Sequence, residues 1–237
     1  MKARKKRSSR KRKLSLIRFV LKVLVLLFVA DICYLFFVVD IPKLRTTIPP
    51  KTAFMKLREM QWERAGKRRT LKKKYVPLKR ISRHVRRAVV LSEDAKFWNH
   101  EGFDYEAIRN AFEENIEARR FKFGGSTISM QLSRNLYLTP DKNPYRKFRE
   151  AIITWRIERT LPKARILEIY LNVVEWGDGV FGIEAASRHY YGKPASALTG
   201  REASLLVAVL PNPRRFSPVR PGGYIKRRAH VIYRYIS

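Results

Sequence analysis

The feature that most constrains this chain is a long apolar run directly behind a strongly basic N-terminus. Residues 2–13 contain nine Lys or Arg residues and no acid. The 21 residues from Phe19 to Val39 carry only two charges. As a helix at about 1.5 Å per residue they would span about 31 Å, close to the ~30 Å hydrocarbon core of a bilayer. The run therefore predicts one transmembrane helix.

A cleaved signal peptide is the alternative to an uncleaved anchor. The run is longer than a usual signal core, and the residues that follow it, Val-Asp-Ile-Pro at 39–42, offer no small-x-small cleavage site. An uncleaved anchor is favoured, with the basic tail keeping the N-terminus in the cytoplasm. Asp31 falls near mid-span, where a carboxyl group needs protonation or a partner helix.

The charge balance indicates an anionic partner. The chain has 237 residues, with 52 Lys and Arg against 20 Asp and Glu, a formal net charge of +32. Such a chain attracts nucleic acid, anionic membranes or phosphorylated substrates. Because the anchor exports residues 40–237, which keep a net charge of +22, we expect the membrane as a partner and no nucleic acid. The lone cysteine, Cys33, excludes an internal disulfide and a cysteine-based zinc site.

The chain divides into a tail, an anchor, a connector and a folded domain. Residues 42–90 hold seventeen Lys or Arg and two acids, broken by prolines. We interpret this stretch as hugging the membrane, at about 1 kcal/mol per basic residue near an anionic surface, although a merely solvated linker remains an alternative. The predicted segments are a cytoplasmic basic tail at 1–15, a transmembrane anchor at 16–39, a basic juxtamembrane connector at 40–79 and the domain at 80–237.

The domain is predicted to be mainly α. Alternating apolar patterns do not exceed about five residues, whereas capping residues and helix-starting prolines are frequent. The pattern predicts helices at 83–97, 104–121, 127–138, 143–161 and 162–171, and another behind a capping box at 199–202, ahead of the apolar run 203–210.

Carboxylates are the candidates for acid–base chemistry. The sequence has no HExxH, GxSxG or phosphate-binding Gly-x-x-x-x-Gly-Lys motif, and its Ser-x-x-Lys lies in the cytoplasmic tail. Glu93 ends an apolar-flanked helix, where burial would raise its pKa toward that of a general base. Taken alone, this position favours a surface helix residue over a general base.

Two further clusters suggest anion binding. Residues 124–129, Gly-Gly-Ser-Thr-Ile-Ser, start a helix and present backbone N–H groups to an anion. Residues 145–150 place three cations and the carboxylate Glu150 within one and a half turns of a helix. An ordinary capped loop and a solvated charged face are the alternatives.

The order of these clusters resembles the peptidoglycan glycosyltransferases of glycosyltransferase family 51. Residues 93–102 are similar to the Glu-Asp-x-x-Phe-x-x-His-x-Gly motif, and 124–131 to Gly-Gly-Ser-Thr-Ile-x-Gln-Gln. The remaining matches are Arg-Lys-x-x-Glu at 146–150, the stretch 163–172, and Gly-Ile-Glu-Ala-Ala at 182–186 with Tyr-Gly-Lys at 191–193. Departures are Met130 for the first Gln of the pair, and Arg134 and Arg149 where many members carry Lys.

The resemblance, over residues 80–220, implies a lysozyme-like glycosyltransferase domain without transpeptidase motifs, similar to the monofunctional biosynthetic enzymes of Gram-negative bacteria. It implies polymerisation of lipid II into β-1,4-linked glycan with inversion and release of polyprenyl diphosphate, at the outer face of the inner membrane. Glu93 would be the general base and Glu150 the second essential carboxylate. Candidate substrate-binding residues are Phe97, Gly125, Ser126, Gln131, Arg134, Lys142, Arg146, Lys147 and Arg149, while Asp94, His100 and Gly102 would hold the first motif.

Several alternatives stay open in the sequence. Glu150 would orient the cations, assist the leaving group or hold a divalent cation such as magnesium or manganese; no cofactor is established as required. Expected partners are lipid II, the lipid-linked glycan, the membrane and other cell-wall synthesis or division proteins. A lytic muramidase of related fold and a non-catalytic membrane-anchored division scaffold are the rival functions. The cations at 142–149 favour synthesis over lysis, because a hydrolase has no pyrophosphate to hold.

Overall fold

The computed structural model describes residues 2–117, 125–141 and 143–237, with side chains from residue 15 onward except at residue 115. Contacts within the chain divide it into two units, residues 1–40 and residues 41–237. The first unit is essentially one helix, and the second is a mainly α-helical body.

Helix α1 (Lys2–Phe37) forms the first unit, as the apolar run predicts. Within residues 15–45 its apolar part reaches a mean hydropathy of 2.5 and is long enough to cross a membrane. The large hydrophobic side chains between Leu16 and Val29 are exposed. Exposed apolar residues all along a helix are expected where lipid replaces water, so the helix is compatible with the predicted anchor.

The second unit confirms the mainly α fold class. Its helices are α2 (Ala53–Arg64), α3 (Arg83–Glu93), α4 (Tyr105–Glu117), α5 (Ile128–Tyr137), α6 (Pro144–Thr160), α7 (Lys163–Val173), α8 (Ile183–Tyr191), α9 (Gly200–Ala208) and α10 (Gly223–Ile236). A small sheet contains β1 (Lys72–Lys73), β2 (Glu175–Gly177) and β3 (Val180–Phe181). In this sheet β3 is central, parallel to β1 and antiparallel to β2.

Local capping signals place most helix starts correctly. Asp104, Thr127 and Asn143 each accept a backbone N–H of the following first turn. Thr199 and Glu202 form the predicted capping box at the start of α9. Such caps satisfy N–H groups that have no partner inside the helix, so they act locally and can be recognised in the sequence.

Other elements differ from the prediction. Helix α3 ends at Glu93 rather than at residue 97, because Asp94 leaves the helical conformation with φ −166°. Helix α7 continues to Val173, two residues beyond its predicted end. The helices α2, α8 and α10 were not predicted. The expected continuation of α4 to Phe121 lies outside the described residues.

Helix α5 is the centre of the packing. It contacts α6, α7 and α2, while α9 packs against α3 and α10. Ile128, Leu132 and Leu136 of α5 are buried at helical spacing. Each fully buried aliphatic side chain of this kind contributes about 1.5–3 kcal/mol, which makes α5 a rigid support for the residues attached to it.

Residues 41–79, which the sequence predicts as a basic connector, belong to the second compact unit. Arg58 of α2 and Glu175 of β2 form a buried two-pronged ion pair, with N–O distances of 2.9 and 2.6 Å. A Cβ added at Gly179 would lie only 2.1 Å from the ring of Trp62, so the ring packs directly against this glycine. Although its many charges favour a linker, this segment is folded. Its ion pair to β2 and its tryptophan at the β2–β3 turn hold it against the domain.

Helix α7 fixes the stretch that leads into α3. Asn172 bonds both backbone groups of Val76, accepting at 3.0 Å and donating at 2.9 Å. Glu168 accepts from the Leu78 N–H at 2.5 Å and the Tyr75 hydroxyl at 2.9 Å. Burial alone would raise the pKa of Glu168, but these donors lower it below its usual value.

Candidate active site

Glu93 ends α3 with a side chain only 13% exposed. Burial raises the pKa of its carboxyl group, while three donors oppose that rise. Gln131 Nε2 lies 3.2 Å from Oε2, and Arg228 Nη2 lies 3.2 Å from Oε1. Ser92 Oγ is 3.5 Å from Oε1. The group is therefore a stronger base than an ordinary surface carboxylate, and it is held by both oxygens.

Tyr170 on α7 sets the direction of the Gln131 amide. Its hydroxyl donates to Gln131 Oε1 at 3.0 Å, which turns the NH2 group of the amide toward Glu93. Tyr170 is fully buried, and burial holds the pKa of its hydroxyl well above the usual value. The tyrosine stays protonated, so the two hydrogen bonds keep one direction: Tyr170 donates to Gln131, and Gln131 donates to Glu93.

Arg228 reaches Glu93 from α10, an element that was missing from the prediction. The same Nη2 atom also donates to Ser92 Oγ at 2.7 Å. The sequence does carry a helical pattern in this region, since four apolar residues recur every three or four positions: Ile225, Ala229, Ile232 and Ile236. That stripe predicts a helix, but not which distant carboxylate the helix would meet.

The predicted structural residues form one hydrogen-bonded cluster. His100 Nδ1 accepts the Gly102 N–H at 3.0 Å, which assigns the proton to Nε2. Nε2 lies 2.9 and 3.0 Å from the two Asp94 oxygens, and Asp94 Oδ2 also accepts the Ile128 N–H at 2.9 Å. Gly102 has φ +95°, a conformation that side chains disfavour. The cluster ties the loop after Glu93 to the start of α5.

A pocket of about 330 Å³ opens beside Glu93. Glu93, Asp94, Gly125 and Ser126 line it together, with residues of α4 opposite. A Cβ at Gly125 would lie 2.7 Å from the Cα of Ile108, so the chain passes α4 at a distance that only glycine permits. The structure thus brings the first two motifs to one cavity.

Glu150 forms a second cluster on α6. It is fully buried. Its Oε1 accepts from Lys147 Nζ at 2.6 Å, and its Oε2 accepts from Arg146 Nη1. Arg149 is half-buried next to it in sequence. Two predicted positions, Lys142 and the Gly124 of the second motif, lie outside the described residues.

Helix α5 lies between the two carboxylates. Gln131 contacts Glu93, whereas Ser133 Oγ lies 3.5 Å from the backbone oxygen of Glu150. Positions 131 and 133 project from different faces of a helix, and Arg134 is half-buried on α5 one turn after Gln131. The described residues that line the Glu93 pocket do not include Glu150 or the cations of α6.

Comparison with known proteins decides the family. A family model described as transglycosylase matches residues 58–236. This chain belongs to the transglycosylase family. Similar relatives, each named biosynthetic peptidoglycan transglycosylase, come from Nitrosospira multiformis (45% identical, covering 78% of this chain and 80% of the relative), Methylobacillus flagellatus (47%, with the same coverage) and Azoarcus sp. (50%, covering 73% and 74%). The predicted family and the predicted class of enzyme, a glycosyltransferase, are confirmed.

Phe97, one of the residues predicted to bind the substrate, lies in the core of this transglycosylase. Its ring is 0% exposed and does not line the pocket beside Glu93. Instead it packs edge-on to Trp98 at 5.0 Å, with the Lys163 ammonium 4.7 Å from its centre. Phe97 therefore supports the motif from inside the core.

Met130 is accommodated in the transglycosylase core. Its side chain is only 3% exposed, and it is not among the described residues that line the pocket beside Glu93. A thioether fits such an interior without a hydrogen-bonding partner. The amide that contacts Glu93 comes from Gln131, the second residue of the pair.

The transglycosylase residues around Glu150 do not fit a divalent cation. Both carboxylate oxygens already accept from cationic side chains, Arg146 and Lys147. A metal ion there would displace these contacts and add two further positive charges beside them. Within the described residues, no group of three or more His, Cys, Asp or Glu side chains stands close enough to hold a metal.

Proposed function

We propose that this chain polymerises lipid II into β-1,4-linked glycan strands and releases polyprenyl diphosphate. Membership of its family makes it a peptidoglycan glycosyltransferase of cell-wall synthesis. The observation that carries the proposal is Glu93, a largely buried carboxylate held by donors on both oxygens at the edge of a pocket. That environment suits a general base for a sugar hydroxyl.

Glu93 acts as the base in the coupling step. It accepts the proton of the acceptor's GlcNAc 4-hydroxyl while that oxygen attacks the anomeric carbon of the donor glycan. The bond from that carbon to the diphosphate oxygen breaks on the opposite side, which inverts the configuration. Burial supports this role, because raising the pKa of the carboxyl group makes it a stronger acceptor of the proton.

The cations of the third motif stabilise the leaving diphosphate. Arg146 and Lys147, which contact Glu150, form the centre of this group, with Arg149, Arg134 and Lys142 as further members. Because Glu150 contacts Arg146 and Lys147 with one oxygen each, we assign it the task of orienting them. Oriented cations stabilise charge that develops in the transition state without having to reorganise. Ser126, at the Glu93 pocket, contacts sugar or phosphate.

The enzyme works at a membrane. Its apolar N-terminal helix fits a single anchor, and the nine basic residues at 2–13 favour a cytoplasmic N-terminus. The catalytic domain would then stand at the periplasmic face of the inner membrane, where the sugars of lipid II project. Other cell-wall synthesis or division proteins remain predicted partners.

Polymerisation of purified lipid II by the full chain in detergent tests this function. We expect long glycan from the parent and a loss of about 10²–10⁴-fold for Glu93→Gln, the usual contribution of a general base. Glu101→Gln is the matched control, because Glu101 is an exposed glutamate of the same motif, and it should retain the parent rate.

Three results would count against the proposal. A Glu93→Gln variant that polymerises at the parent rate would refute the assignment of the base. A parent that releases soluble muropeptides from preformed cell wall, and makes no glycan from lipid II, would be a lytic muramidase. A parent without either activity would support the scaffold.

A further inference from the structure

Glu93 receives its two main donors from different parts of the fold. Gln131 on α5 contacts Oε2, and Arg228 on α10 contacts Oε1. Gln131 is neutral, so it orients the carboxylate but adds no charge. Arg228 adds a positive charge, with 29% of its side chain exposed. The C-terminal helix therefore supplies the one cation that contacts Glu93 among the described residues.

The remaining charged groups around Glu93 are paired with each other or stand farther back. Asp94 is bound to His100, and Lys96 pairs with Glu106, both of which line the pocket. Groups facing this region from the packed elements are Tyr170 on α7, Arg134 on α5, Arg228 on α10, and Asp94, Lys96, Asp104 and Glu106 around the pocket. Arg228 thus has a direct contact that these other cations lack.

We propose that Arg228 is a positioning residue that fixes Oε1 of Glu93 and stabilises the ionised form of the base. This inference rests on the proposed function. Two opposing influences then act on Glu93: burial favours the protonated acid, and the guanidinium favours the carboxylate. Helix α10 sets the balance, so it determines how far the pH can fall before the enzyme loses its base.

The geometry argues that Arg228 does more than fasten two helices. A purely structural tie would be complete with the Ser92 contact at 2.7 Å, yet the same Nη2 atom also reaches Glu93. The Nε atom of Arg228 is buried without a hydrogen-bond partner, which is a cost of placing the guanidinium here. The interaction of its positive charge with Glu93 accounts for this placement.

The pH dependence of kcat/KM for lipid II polymerisation tests the proposal, using the full chain in detergent. Removing the charge by Arg228→Gln should raise the pKa of Glu93, and the acid limb should move up by about one pH unit. Well above that pH the rate should approach that of the parent. Arg228→Lys keeps the charge, so its acid limb should stay near that of the parent.

Arg227→Gln provides the matched control, because Arg227 is an exposed arginine next in sequence that lines the neighbouring groove. Its acid limb should not move. Arg228→Met is a second uncharged variant, to be used if Arg228→Gln does not fold, as judged by circular dichroism.

The outcomes separate this inference from the proposed function. An uncharged Arg228 variant whose acid limb coincides with that of the parent, or whose rate falls equally at every pH, would overturn the positioning role. An equal shift in Arg227→Gln would also overturn it, since the effect would then be general surface charge. The proposed function fails only if the parent itself makes no glycan or if Glu93→Gln remains fully active.

Discussion

Replacing Asp94 by asparagine tests whether the first motif is a structural clamp. The Asp94 side chain is 1% exposed and accepts from two fixed donors, His100 Nε2–H and the Ile128 N–H. An asparagine offers one acceptor oxygen and one NH2 group in place of the two carboxylate oxygens. Its NH2 group must face one of the two donors. Changing the imidazole tautomer does not help, because Nδ1–H would then face the Gly102 N–H.

Every arrangement of Asp94→Asn therefore leaves buried donors facing each other. An unsatisfied buried group costs about 1–3 kcal/mol, and a hydrogen bond to a charged group is worth about 1.5–3 kcal/mol. We expect a loss of about 2–3 kcal/mol in the free energy of unfolding. For a domain of this size the midpoint of thermal unfolding should fall by roughly 5–10 °C. Polymerisation should fall as well, since Glu93 is the adjacent residue.

Asp104→Asn is the control for this experiment, measured by circular dichroism on heating. Asp104 caps α4 by accepting the Ala107 N–H at 2.9 Å, and asparagine caps a helix about as well as aspartate does. Its midpoint should stay near that of the parent. The clamp argument is refuted if Asp94→Asn unfolds at the parent temperature, or if both substitutions lower the midpoint equally.

Three further substitutions probe other contacts. Arg58→Met should cost about 3–5 kcal/mol in denaturant unfolding, because Glu175 stays buried and charged. Adding Glu175→Met should recover only part of the loss, because the buried Gly179 N–H then loses its acceptor. Folding lowers the pKa of Glu168, so the contribution of Glu168 to the free energy of unfolding is present above the unfolded pKa of 4.5 and is lost as the pH falls. The stability advantage of the parent over Glu168→Gln should therefore shrink below pH 4.5. Gly125→Ala should reduce polymerisation strongly, because its Cβ would meet backbone at 2.7 Å, whereas Gly222→Ala, with open space around it, should not.

Local signals were sufficient for much of the fold. The Asn143-Pro144 start of α6 and the Thr199 box of α9 depend on residues within one turn, so the sequence alone identifies them. Asp94 and His100, six residues apart in the first motif, likewise contact each other directly. Residues that act through their immediate neighbours are the ones that sequence patterns describe well.

Contacts between distant elements could not be predicted in this way. Arg58 meets Glu175 across 117 residues, and Arg228 meets Glu93 across 135. Nothing near Arg58 in sequence distinguishes it from the solvated cations of the same basic stretch. Phe97 shows the converse, since its place in a motif suggested the cleft whereas the tertiary packing encloses it.

Helix α5 explains how one small domain holds a base and a cation cluster with separate environments. Its first residue is bound by Asp94, Gln131 orients Glu93, and Ser133 reaches the backbone of Glu150. Because these contacts leave different faces of one buried helix, the base can be desolvated while Glu150 remains surrounded by cations. Moving α5 would disturb both groups together, whereas Arg228 approaches from α10 and contacts Ser92 and Glu93. Under the proposed mechanism, the strength of the base can therefore change through α10 without altering the cations assigned to the leaving diphosphate.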